Sequence, residues 1–181
     1  MSLGLKVLQI HVPLFFKKKA LRDLFSLTAQ AFGSDPPGTR RKSYLTLLES
    51  YALFTRSEAE RHLGEGRDAE AVRRRLFAGA CELGDRLRRR FRLRRPDEVL
   101  LMSKILYRVL GIEFEARAGG EVKIASCFFS RFYTAETCRL ISALDEGMAA
   151  GLSSGGRFEF YERITEGSAG CRGRISLVKE K

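Results

Sequence analysis

Hydrophobic positions recur at helical spacing through the first 110 residues and at alternating spacing through much of the rest. Pro13 stands where a first helical turn tolerates proline, and Leu14, Phe15, Leu21, Leu24, Phe25, Thr28 and Phe32 continue one face as far as Gly33. After the turn cluster 34–39, Tyr44, Leu47, Leu48, Tyr51, Ala52 and Ala59 predict a second amphipathic helix, bent near Thr55–Ser57 and ended by Gly64 and Gly66. His62 falls in its last turn, where a cap or surface role is expected. Asp68 can cap a third helix whose buried stripe is Leu76, Ala80, Leu83, Leu87 and Phe91. Gly79 and Gly84 inside it disfavour helix by about 1 kcal/mol each, so they predict close approach by another helix. Pro96 stops that helix, and a fourth runs through Leu100, Leu101, Ile105, Tyr107 and Leu110 to Gly111.

At Gly111 the period changes. Ile112, Phe114 and Ala116 alternate with Glu113, Glu115 and Arg117, Gly119-Gly120 is a hairpin signal, and Val122 and Ile124 alternate on a return strand toward Cys127. Thr134 predicts the cap of a fifth helix from Ala135 to about Ala149, with Cys138, Ile141, Leu144 and Met148 along one side and Gly151 at its end. The segments GRFEFYERI and CRGRISLV read as a second strand pair. The predicted order is ααααββαββ, an α+β fold in which helices cover an antiparallel four-stranded sheet. With no repeat or linker, 1–181 reads as a single domain with a helical half at about 1–111 and a sheet half at about 112–181.

Composition changes this picture little. The chain of 181 residues, 44% hydrophobic and 30% charged, can bury a core without disulfide or metal staples. A net charge of +11 favours anionic small molecules, phosphates or acidic partners. The arginine runs (Arg73–Arg75, Arg88–Arg90, Arg92, Arg94, Arg95) raise nucleic acid as a partner. They read more simply as a solvated basic helix face, and no exposed aromatics interleave with them, so nucleic acid is not the expected partner. No run approaches the ~18 apolar residues of a membrane span, so no membrane partner is expected. The four cysteines, without a CxxC pair or a secretory leader, point to a reduced, cytoplasmic setting. Exposed helix faces leave room for a homodimer.

Candidate chemistry concentrates between Cys127 and Cys171. Phe158, Phe160, Glu162 and Ile164 should share one strand face, and Cys171, Gly173, Ile175 and Leu177 another. Aligning the apolar faces sets Glu162 opposite Gly173, an inward carboxylate that needs a partner, a proton or a ligand. Cys138 falls in the first turn of the fifth helix, where free backbone N–H groups and the macrodipole would lower a thiol pKa, which makes it the most easily activated sulfur. Cys127 and Cys171 can approach the same end of the sheet. Three readings stay open: a metal site of the three thiols with Glu162 or Asp145, a reactive thiol with a carboxylate acid/base, and buried structural cysteines. A spacing of C-x10-C lacks a close ligand pair, so no metal ligand set is assigned. No motif specifies a cofactor, and no P-loop, dinucleotide fingerprint, HExxH or nucleophile elbow is present.

The segments ILYRVLGIEFE, CFFSRFYTAETC, LISALDEGMAAGL and FYERITEGSAGC resemble the L-2-amino-thiazoline-4-carboxylic acid hydrolase-like family over roughly Asp97 to Val178. A more distant similarity is to 4-vinyl reductase-type domains, whose final hairpin binds ligands or metal; Thr165 stands where those domains tend to carry a further cysteine. The first resemblance implies ring opening of a cyclic amidine by water, with Cys138 as nucleophile, Glu162 as acid/base and Asp145 as its partner. Cys127 and Cys171 would line the substrate site, with Arg139 or Arg163 as carboxylate anchor. The second implies a non-catalytic module that binds a small ligand or a metal.

Overall fold

The computed structural model describes residues 3–39, 41–64, 68–117 and 119–177. Five helices come first: α1 (Leu3–Ile10), α2 (Leu14–Phe32), α3 (Tyr44–Gly64), α4 (Ala69–Phe91) and α5 (Pro96–Val109). The strands β1 (Ile112–Ala116) and β2 (Glu121–Cys127) follow, then α6 (Ala135–Ile141), α7 (Ala143–Leu152), β3 (Arg157–Glu162) and β4 (Cys171–Ser176). The strands form one antiparallel four-stranded sheet in the order β1-β2-β4-β3. The molecule is therefore α+β, with Phe114, Val122, Ile124, Phe158, Cys171 and Ile175 packed from the sheet against Tyr107 of α5 and Ala149 of α7. Among the described residues, no helix is long and apolar enough to cross a membrane.

Local signals explain most boundaries. The Asp68 carboxylate accepts from the Ala71 amide at 3.0 Å, and Thr134 Oγ1 accepts from the Thr137 amide at 3.2 Å, which fixes the starts of α4 and α6. Pro96 opens α5 as its first residue instead of ending α4, and the buried Glu98 takes the Arg94 and Arg95 amides at 2.9 and 3.2 Å. Helix α4 ends earlier, where Arg92 turns left-handed at φ 53°. Gly66 and Val178, expected at the ends of the second helix and the last strand, lie outside the described residues.

Three expectations change. The N-terminal stretch holds an additional short helix, α1, whose Leu5 and Leu8 join Val12, Met102 and Ile105 in a buried cluster. Eight residues give too short a window for its period to stand out. His62 is 4% exposed, its ring 5.2 Å from that of Phe32 and its Nδ1 2.9 Å from the Glu58 carbonyl oxygen. It packs in the core, so the surface role is overturned. The single fifth helix is divided at Ser142, whose hydroxyl donates to the Cys138 carbonyl at 2.7 Å while its own carbonyl receives the Asp145 and Glu146 amides at 3.0 and 3.1 Å. A serine bonding back one turn bends a helix, and here it closes α6 and starts α7.

Helix α7 packs closely against α4. A Cβ added to Gly147 or Gly151 would press into the carbonyl oxygens of Phe77 and Cys81, and one on Gly84 would sit 2.8 Å from the Met148 carbonyl oxygen. Gly79 instead faces the Leu27 side chain of α2. Both glycines predicted to admit a neighbour thus serve internal contacts. Most arginines of the runs also have internal partners: Arg73 with Glu146, Arg75 with the Ala31 carbonyl at 2.7 Å, Arg88 with Asp85 at 2.6 Å, and Arg95 with Asp97 at 2.9 Å.

Candidate functional site

Between the helices and the inner face of the sheet lies a cavity of about 210 Å³. Leu83 and Leu87 of α4, Leu106 of α5, Met148 of α7, and Phe158 and Phe160 of β3 give it a largely apolar wall. Cys127, Cys138, Cys171, Asp145 and Arg163 all reach it. Five of the seven candidate site residues therefore share one lining, with Ser142, Tyr107, Tyr133 and Thr165 beside them.

Each is placed by its own local structure. Cys127 ends β2, where its carbonyl accepts from Ser130 Oγ at 2.8 Å in the 3-10 turn Phe128–Arg131. Burial pushes its thiol up to about 12, more than the Phe129 and Ser130 amides bring it down. Cys171 opens β4, and its sulfur accepts the Ile164 amide at 3.4 Å; burial raises this thiol as well. Thiols raised by burial suit wall positions. Cys138 sits one turn into α6. Its backbone amide already bonds the Thr134 carbonyl at 3.0 Å, so it presents no unsatisfied N–H of the helix start. Cys81 lies on α4 and does not line the cavity. All four cysteines are free, and among the described residues no group of three or more His, Cys, Asp or Glu side chains is placed to hold a metal ion.

Asp145, in the first turn of α7, accepts a hydrogen bond from the Tyr107 hydroxyl at 2.7 Å. Its carboxyl is raised from 3.8 to about 6, because burial outweighs the Tyr107 hydrogen bond and the nearby Arg163 charge. The area Asp145 keeps accessible faces the cavity instead of bulk water, which is why a partly accessible residue is so strongly desolvated. The Tyr107 hydroxyl is itself raised well above 10, first by burial and then by the Asp145 charge, so this pair shares a proton that Tyr107 keeps.

Arg163 follows β3 and is 13% exposed. One Nη donates to Ser142 Oγ at 2.8 Å, and the guanidinium lies 4.7 Å from the centre of the Phe160 ring. Its ion pair with Glu166 is long, 3.8 Å, because that oxygen is bonded at 2.8 Å by Arg139. The guanidinium is thus fixed in a largely apolar wall, with only this long ion pair to a carboxylate. The Tyr51 hydroxyl lies next to Thr28, whose oxygen can accept from it while its own proton goes to the Leu24 carbonyl at 2.7 Å. The buried Thr165 hydroxyl of the lining has no hydrogen-bond partner. Such groups are normally satisfied by water or a ligand.

Two candidates fall elsewhere. Glu162 is not on the inner face: Phe160 and not Glu162 opposes Gly173 in the regular ladder, and a bulge between Phe160 and Glu162 then sets Glu162 opposite Arg172, whose Nε lies 3.4 Å away on the outer surface. The inward carboxylate predicted for this strand is absent, because one extra residue turns every later side chain over. Arg139 is 58% exposed and pairs with Glu166 outside the cavity lining. Ser142, Tyr107 and Tyr133 were not identified as site residues from the sequence, and Thr165 was singled out only through the more distant resemblance. Tyr107 carried a usable signal, since a tyrosine on a buried stripe needs a partner for its hydroxyl and a buried acid can supply one.

No family model and no curated protein matches the chain.

Proposed function

We propose that the cavity binds a small molecule with an extended apolar body and one anionic, carboxylate-type end. Arg163 carries this reading: it is held by Ser142 and Phe160, has only a long ion pair, and reaches an otherwise apolar lining. The Thr165 hydroxyl offers an additional partner to a polar atom of the guest. Asp145 tunes the site, because its charge competes with that of the ligand for Arg163. Protonation near pH 6 removes the competitor, so affinity for a carboxylate that stays ionised rises as pH falls through that region. Decanoate serves as the probe: it should raise the melting temperature of the wild-type protein and leave that of Arg163→Gln almost unchanged. A wild type whose melting is unmoved by decanoate would remove the reading.

A second reading rests on Cys138 and Asp145 reaching the same cavity. In the ring opening implied by the family resemblance, Cys138 Sγ would attack the amidine carbon and its proton would pass to Asp145. The same carboxyl would return the proton to the departing ring atom, and water would then release the product from sulfur. A carboxyl near pH 6 suits both transfers better than the surface carboxylate of Glu162. Arg163 anchors the substrate carboxylate in this reading too. Turnover of a thiazoline carboxylate should fall at least about a hundredfold in Cys138→Ser; full turnover in that variant would eliminate the nucleophile.

A further inference from the structure

Of the residues lining the cavity, Phe15, Lys19 and Arg90 are the ones exposed to solvent, so its mouth lies where the first turns of α2 meet the end of α4. The surface beside this mouth is unusual. Ile10 is 87% exposed, Phe15 75%, Leu14 56% and Val7 52%, while Leu5, Leu8 and Val12 hold the other side of the same segment in the core. Single exposed apolar residues are ordinary, but four large ones within nine positions form a patch that calls for a partner.

Charge indicates which partner. Residues 3–22 include Lys6, Lys17, Lys18, Lys19 and Arg22 and no acid; Asp23 follows and pairs with Lys19 at 2.6 Å, which leaves the other four without an acid in this segment. Arg108 of α5 adds to them, since its guanidinium donates to the Gln9 carbonyl at 3.2 Å, and Lys104 is exposed one turn earlier. Apolar tips ringed by lysine and arginine match the boundary between acyl chains and anionic headgroups. A second copy of the chain would bring the same cations face to face. We propose that the Val7–Phe15 face docks on an anionic membrane surface, placing the mouth against lipid so that an amphipathic guest passes between bilayer and cavity. A surface contact of this kind requires no spanning helix. Passage of the guest rests on the ligand reading above, whereas docking does not.

The test is co-sedimentation of the full chain with phosphatidylcholine vesicles, with and without about a third phosphatidylglycerol. Association is expected with the anionic vesicles only, at least about tenfold tighter than with neutral ones, and it should weaken in about 0.5 M salt. Ile10→Glu/Leu14→Glu should lose at least about tenfold in vesicle affinity while keeping the wild-type melting curve and its response to decanoate. Arg163→Gln should sediment like the wild type, so a protein that binds vesicles but not decanoate retains docking and loses the ligand reading alone. Docking is overturned if the wild type ignores anionic vesicles or if the double variant binds them as well as the wild type. It is also overturned if the wild type is a dimer that the double variant dissolves and neither form binds vesicles, since the face then belongs to a second copy.

Discussion

Asp145 is the residue whose energetics say most about the site. A carboxyl that titrates near 6 instead of 3.8 has its charged form disfavoured in the folded protein by about 3 kcal/mol. The folded state holds this proton more tightly than the unfolded chain, so the penalty is absent below about pH 4, grows as pH rises, and is complete above about pH 6. Asp145→Asn keeps an acceptor for the Tyr107 hydroxyl and removes the buried charge. It is expected to be more stable than the wild type at pH 7.5 by about 1–3 kcal/mol, with the difference vanishing toward pH 4. Equal melting temperatures at both pH values would mean that Asp145 is not desolvated.

At the scale of elements, the site depends on how α7 lies against α4. Gly151→Ala sets a Cβ against the Cys81 carbonyl oxygen and 2.8 Å from the Asp85 amide nitrogen, backbone atoms that cannot swing away. Overpacking of this kind should lower stability by about 1–3 kcal/mol and weaken ligand binding, because Asp145 and Met148 ride on the same helix. In Gly79→Ala the new methyl meets only the flexible Leu27 side chain, and a gain of up to about 1 kcal/mol in helix propensity offsets the contact. Chemical denaturation of the pair should separate the two variants clearly; equal losses would contradict the α4–α7 contact. The glycines of α4 were readable as contact points from sequence, and so were Asp68 and Thr134 as caps. The division at Ser142 and the bulge after Phe160 were not. The first is a serine bonding back one turn to Cys138 and the second one extra residue in the strand, and both leave helical and alternating patterns intact on either side. Consequently Glu162 was assigned to the wrong face, while Arg163, one residue later, reached the cavity.

For the whole molecule, the α+β architecture and the antiparallel sheet follow from period and turn residues, because half-buried helices and strands must each present one apolar face. The cavity left between the two layers does not follow from those patterns. Leu83, Met148 and Phe158 read as ordinary core, and a wall residue has the same periodicity as a packed one. We infer that this space receives an apolar body whose anionic end pairs with Arg163. Calorimetric titration with decanoate and with its methyl ester, each against the wild type and Arg163→Gln, tests it most directly. The two ligands share the apolar body and differ in charge, so the comparison isolates the pairing from simple burial. The structure predicts that the wild type prefers the acid by at least about tenfold and that Arg163→Gln binds acid and ester alike. A wild type that binds both equally, or an acid preference that survives in Arg163→Gln, would contradict it.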